Sequence, residues 1–150
     1  SGTDLTKSIL KYAILINTNL SDSNLTDAQF SYATLLNTDI RNANLTLAFA
    51  EGIDFTEIKD RSLDSTILFG SILSFSTLEH MDFSGKDLTL SHFAKSKLKG
   101  ANFSNDVTIH GTFFREANLM NANFEGANLN NSTWVDGSKC GLESIGLCKK

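Results

Sequence analysis

The chain has 150 residues, 41% of them hydrophobic and 20% charged, and carries a formal net charge of −4. That is length enough for one domain with a continuous core, and the acidic balance argues against a general nucleic-acid binder, which is normally basic. No apolar run approaches the roughly eighteen residues of a membrane span, so no transmembrane segment is expected, and proline is absent altogether.

From the first residues onward a large apolar side chain returns at every fifth position: Leu5, Leu10, Leu15, Leu20, Leu25, Phe30, Leu35, Ile40, Leu45. Two positions before each of them, from Leu10 on, stands something small, as in Ser8, Ala13, Thr18, Ser23 and Ala28. A period of five fits neither the 3.6 of a helix nor the 2 of a strand, and it predicts a solenoid. A longer echo lies inside it. The stretch Tyr12 to Leu20 reappears as Tyr32 to Ile40, and Asp82-Phe83-Ser84 as Asn102-Phe103-Ser104, each twenty residues on. Four units therefore make one turn of a four-sided coil, with neighbouring turns paired like strands about 4.8 Å apart. The large and small residues point inward and the other three positions of each unit face solvent. Missing proline suits a chain whose every coil must donate backbone hydrogen bonds.

Outward positions are mostly polar, so the apolar exceptions near the first turns are informative. Tyr12 and Tyr32 fall in one outward column, with Phe75 further along it, while Ile16 and Leu36 stack on the next face beside Ile14. These five residues, Tyr12, Ile14, Ile16, Tyr32 and Leu36, form a candidate interaction patch. The alternative is that a β-rich surface simply tolerates them.

The rhythm slips twice. Leu63 follows Phe55 by eight residues, which predicts a short protruding loop near 56–62, and Ile109 follows Phe103 by six, which predicts a bulge near 104–108. Between the slips, Glu79, His80 and Asp82 lie close together but lack a fourth converging metal ligand, and no cofactor is expected. No serine or cysteine stands in a nucleophile motif, and no glycine loop suits a phosphate, so an enzyme is not expected. Lys95, Lys97 and Lys99 form a small basic cluster, and Asp54, Glu57 and Asp60 an acidic one, both read as solvated surface. Inward columns are expected to hold Phe83, Phe103 and Phe124 on one side and Phe93, Phe114 and Trp134 on another. The full count is about six and a half coils, a rod ~31 Å long at strand spacing.

Past Trp134 the rhythm stops, dividing the chain into a repeat region over 1–134 and a tail over 135–150. A solenoid end needs cover, so the tail is expected to fold over the last turn with Leu142, Ile145 or Leu147 meeting the core near Trp134. Cys140 and Cys148 are read as a disulfide, with two free thiols as the alternative. The redox motif C-x-x-C is absent, and two ligands are too few for structural zinc. A disulfide implies an oxidising compartment.

The units Ala43-Asn44-Leu45, Ala101-Asn102-Phe103, Ala117-Asn118-Leu119, Ala122-Asn123-Phe124 and Ala127-Asn128-Leu129 resemble the pentapeptide repeat family, whose consensus is A-(D/N)-L-x-x. The resemblance covers roughly residues 3 to 134. It implies an all-β fold, a right-handed quadrilateral parallel β-helix with a short non-repeat cap. The tail looks like those of exported members, periplasmic or in the thylakoid lumen. The repeat is in register from Thr3-Asp4-Leu5, as after removal of a leader, and the first coil shows no cap, which leaves it free to self-associate. Two functions follow from the resemblance: a non-catalytic scaffold binding an unknown protein partner, or a DNA mimic that binds gyrase. The second needs an acidic stripe, which the lysine cluster interrupts.

Overall fold

The computed structural model describes all residues, Ser1–Lys150. Its backbone is a stack of coils joined by single-residue parallel bridges, which line up in four ladders and define four faces. Face one begins Asp4, Asn24, Asn44, Ile67; face two Ile9, Gln29, Phe49, Ile72; face three Ile14, Thr34; and face four Asn19, Asp39. The register is twenty residues per coil at first, as in Asp4 to Asn24. It becomes 23 across the first slip (Asn44 to Ile67) and 21 across the second (Asp87 to Thr108).

Most five-residue units place their backbone donors in a repeated pattern, and this explains their composition. In the first unit the Leu5 N–H donates to Asn24 O at 2.8 Å and the Lys7 N–H to Thr26 O at 2.9 Å, both in the next coil. The Ser8 N–H closes the turn on Leu5 O at 3.0 Å. The Thr6 N–H is taken by the Asp4 carboxylate at 3.0 Å, and in later coils the first N–H of the unit bonds back, as the Asn24 N–H does to Thr3 O at 3.0 Å. Asn24, Asn44, Asn118, Asn123 and Asn128 accept the N–H two residues on in the same way, the Asx geometry to which short Asn and Asp side chains are suited. The asparagines read from sequence as corner-bonding residues therefore hold that role. Proline would forfeit one of these bonds at almost any position.

The third residue of nearly every turn has a positive φ, for example Lys7 at 57° and Asn17 at 56°. That is the geometry of a type II turn, and β-branched residues are missing from it. Glycine takes the position at Gly52, Gly70 and Gly100, and there it does more than ease the backbone. A Cβ at Gly52 would lie 2.3 Å from the Tyr32 ring, and one at Gly100 would lie 2.4 Å from the His80 ring. At these positions the large corner side chain of one coil leans over the next, where the glycine leaves it room.

The core is one column of large and small residues running the length of the coil. Leu25, Leu45, Phe83, Phe103 and Phe114 are at most 1% exposed. The expected aromatic ladders form among the phenylalanines: Phe83, Phe103 and Phe124 stack with centroids 4.9 and 4.7 Å apart, and Phe93 stacks on Phe114 at 5.5 Å, while Trp134 departs from its column, meeting Phe114 edge-on at 5.8 Å and only partly buried. Ser and Thr at the small inward position bond to carbonyls, as Thr38 Oγ1 does to Leu15 O at 2.6 Å. Ser8 is the exception, its buried hydroxyl having no partner.

The first slip is absorbed by two single 3-10 turns, Phe55–Glu57 and Lys59–Arg61. Ile58 between them is 3% exposed, an inward residue that the five-residue count passes over. Asn37 N–H to Glu57 O (2.8 Å) and Lys59 N–H to Thr38 O (2.9 Å) keep this part paired with the coil before it. At the second slip Asn105 and Asp106 both take positive φ and Val107 returns to the core.

The tail reverses direction and pairs antiparallel with the last coil, through Asn128 with Ile145 and Thr133 with Lys139. Cys140 and Cys148 form a disulfide. Here the expectation for the tail is corrected. Leu142, Ile145 and Leu147 are 76%, 54% and 70% exposed, and the residues that meet the core are Cys140 (1%) and Ser144 (0%), with Cys148 partly buried against it. The cap works by backbone pairing, with Leu129 N–H on Ser144 O and Asn131 N–H on Cys140 O. An antiparallel strand laid on the coil edge spends its inward side on small residues, because the aromatic column beneath already fills the centre.

Candidate functional site

The faces differ in chemistry. Face four, opposite face two, and face one beside it carry Asn or Asp before the inward residue in most coils: Asn19, Asp39, Asp82, Asn102, Asn123 on the former and Asp4, Asn24, Asn44, Asp87, Asn128 on the latter, where Ile67 and Thr108 are exceptions. These Asn and Asp all accept a corner N–H. Face two has none. Its bridged column reads Ile9, Gln29, Phe49, Ile72, His92, Phe113, Thr133. A whole ladder has given up the side chain that completes the turn and presents apolar groups to solvent instead. Such a departure from a fold's own local rule marks a surface under some other demand.

The corners beside face two add to it. On one side stand Leu47, Phe69 and Leu90, on the other Tyr12, Tyr32 and Phe75. Of the eleven phenylalanines, seven point inward. The four that do not, Phe49, Phe69, Phe75 and Phe113, all lie on this side with both tyrosines. Tyr12 and Tyr32 stack at 5.5 Å with planes 20° apart, and His92 stacks on Phe113 at 4.4 Å. Three lysines rest on these rings: Lys11 over Tyr12, Lys95 over Phe75 and Lys139 over Phe113, at 5.3, 5.7 and 5.1 Å. Burial holds the His92 imidazole below its ordinary range, with Glu51 opposing.

The five residues of the sequence-predicted patch lie on neighbouring parts of the surface. Tyr12, Ile14, Ile16, Tyr32 and Leu36 are each more than 40% exposed, and they wrap the corner from face two onto face three. What the sequence reading missed is the continuation along face two through Phe49, Ile72 and Phe113. The signal was present: the column lacks the consensus Asn or Asp in every coil. Reading it required knowing how the two slips shift the later residues.

The opposite side is polar. Asp39 accepts from Arg41 Nε at 2.9 Å and from Arg41 Nη2 at 2.5 Å, with Lys59 Nζ 3.4 Å away. These bonds hold its carboxyl well below the usual range. A cleft of about 520 Å³ opens beside the first slip, lined by Asp60, Arg61, Asp64, Asp82 and Lys86 among others. Lys86 Nζ donates to Leu63 O at 2.7 Å and Thr66 O at 3.3 Å, and burial lowers its pKa against the pull of Asp64 and Asp82. Glu79, His80 and Asp82 diverge: His80 leans over Gly100, while Asp82 accepts from Ser84 and Asn102.

A family model for pentapeptide repeats matches the chain in 8 copies, over residues 23–59, 71–105 and 107–133. Among solved structures, HetL, a pentapeptide repeat protein involved in heterocyst differentiation regulation from the cyanobacterium Nostoc sp., is similar with a TM-score of 0.72 at 22% identity. The alignment covers 93% of this chain and 62% of HetL, so the chain spans under two thirds of that relative's length. QnrB1, a plasmid-mediated fluoroquinolone resistance protein, is similar with a TM-score of 0.50 at 20% identity, covering 91% of this chain and 72% of QnrB1. At these identities the likeness is one of fold. No curated protein matches the chain in sequence.

Proposed function

The chain belongs to the pentapeptide repeat family, whose members fold as right-handed quadrilateral β-helices, and from that premise we propose a non-catalytic scaffold that binds a protein partner outside the cytoplasm. One observation carries the reading: all outward phenylalanines and tyrosines gather on one side of a rod whose interior is filled by its own side chains. With no internal chamber, recognition falls to the surface, and an aromatic side suits a protein partner. The Cys140–Cys148 disulfide supports an extracytoplasmic compartment, periplasm or thylakoid lumen, where such bonds persist.

The gyrase-binding alternative draws less support. A duplex mimic needs free carboxylates along its length, whereas Asp39 is held by Arg41 and Lys59, and many other Asp side chains are tied into corner turns.

The test is site-specific photocrosslinking from positions 16 and 36 in extracts of the native compartment, with and without the paired changes Tyr12→Ser and Tyr32→Ser. A discrete crosslinked protein that disappears in the folded double variant supports the reading. Equal crosslinking by the variant removes the patch as the binding surface.

A further inference from the structure

We propose that face two is the surface on which two copies of this chain pair side by side, antiparallel, about a two-fold axis through the Ile72–Phe75 coil. The inference rests on the scaffold reading only in taking the same side of the rod as the binding side.

Area argues first. Ile9, Tyr12, Tyr32, Leu47, Phe49, Phe75 and Leu90 are each between 41% and 77% exposed. At ~200 Å² for a fully exposed large side chain they present about 750 Å² of largely apolar surface. That is what one partner contributes to a standard interface of about 1,600 Å², and more than a monomer usually leaves exposed in one patch. Shape argues next. Parallel ladders at constant spacing make a flat face, and two flat sheets pack well with interleaved side chains about 10 Å apart. A pairing that closes must be isologous, with each residue of the patch meeting the patch itself.

Charge then selects the direction. In a parallel pairing coils meet at the same level, which brings Lys11 of one copy against the coil of Lys7 in the other, a like-charge encounter. In the antiparallel pairing the Ile72 coil is central and the levels above and below it exchange. Glu51, one coil before the centre, then meets Lys95, one coil after it. Lys11, three coils before, meets Asp136, three coils after, and Tyr32 meets Glu116. Every charged group at that corner finds an opposite or neutral group across the axis, in addition to the ion pairs that Lys95 makes with Glu116 and Lys150 with Asp136 within one chain, and the Phe75 rings meet at the axis.

The experiment is sedimentation equilibrium on purified, oxidised protein from about 1 to about 200 μM, the range over which an interface of this size and ordinary quality associates. The expected species has twice the 16.4 kDa chain mass. Phe75→Glu places two carboxylates at the axis and leaves a monomer; position 75 has a φ of 62°, which Glu116 adopts natively at 60°. Lys95→Glu weakens pairing at least tenfold, and adding Glu51→Lys restores it to within about threefold, the signature of a direct pair in a double-mutant cycle. The charge variants change no core residue, so they test the interface even if Phe75→Glu disturbs the fold. A monomer over the whole range overturns the inference, as does a dimer indifferent to these changes, which would be joined elsewhere, for instance end to end. Neither result bears on the crosslinking test, because no second protein is present.

Discussion

Phe103 and Phe124 lie one coil apart in the chain and stack with ring centroids 4.7 Å apart and planes within 3° of parallel. Phe93 and Phe114 meet Phe103 edge-on at 6.2 and 5.7 Å. Each ring therefore packs against its own column and against the neighbouring one, and the interior behaves as a single aromatic lattice. Phe103→Ala should lower unfolding stability by about 3–5 kcal/mol, since a rigid stack cannot collapse into the cavity. Urea denaturation followed by far-UV circular dichroism measures it, and a loss below about 1 kcal/mol would show that the columns relax independently.

Closing a loop of about nine residues, the Cys140–Cys148 bond should contribute ~2.5 kcal/mol on the chain-entropy model. Its removal should also open the coil end, because Cys140 is 1% exposed in the core, whereas Cys148 packs against it only partly buried. Cys140→Ser should therefore destabilise more than Cys148→Ser, although both break the same bond. Thermal melts of the two single variants and of the reduced wild type decide this, and equal midpoints for the single variants would remove Cys140's packing role.

Gly52 lies under the Tyr32 ring, where its φ is +65°. Gly52→Ala should cost about 1–2 kcal/mol, from the positive φ together with displacement of the ring. Placed in a Tyr32→Ser background, the same change should cost only the backbone part. A penalty unchanged by that background would mean the ring moves aside freely.

Asp39 contributes to the pH dependence of stability. Its carboxyl is held below the ordinary value by hydrogen bonds from Arg41, despite opposition from burial, with Lys59 adding to the effect. A depressed folded pKa means that the unfolded chain binds the proton more readily. The contribution is complete above the unfolded value near 3.9 and is lost as pH falls from there toward the folded value. Asp39→Asn should flatten the stability profile below about pH 4 and leave its slope near pH 6 unchanged. A variant that keeps the wild-type acid limb would assign that limb to other carboxylates.

The two kinds of face should respond oppositely to asparagine. Asn44→Ala removes the acceptor of the Thr46 N–H and hydroxyl, at 3.0 and 2.6 Å, and should cost about 1 kcal/mol. Phe49→Asn supplies a missing acceptor to the Glu51 N–H, now served only by Ser31 Oγ at 3.3 Å, and removes an exposed ring. Stability should hold or rise while association falls. A clear loss of stability in Phe49→Asn would mean that the ring is structural.

The five-residue period is local, and so was everything that depends on it alone. Leu45 or Phe83 could be assigned inward, Asn44 assigned to its corner, and the coil counted at four units, because side-chain direction and turn bonding are settled within a few residues of each position. Lateral neighbours are another matter. Whether Phe49 lies beside Ile72 or some other residue depends on how the extra residues after Phe55 are absorbed, and Ile58 turning inward is a packing decision made against the coil before it. The same holds for the tail, where pattern pointed to Leu142, Ile145 and Leu147 and the occupied core admitted only Cys140 and Ser144. Direction belongs to the chain's own geometry; alignment across coils belongs to the tertiary structure, since each turn is placed by hydrogen bonds to another one about twenty residues away.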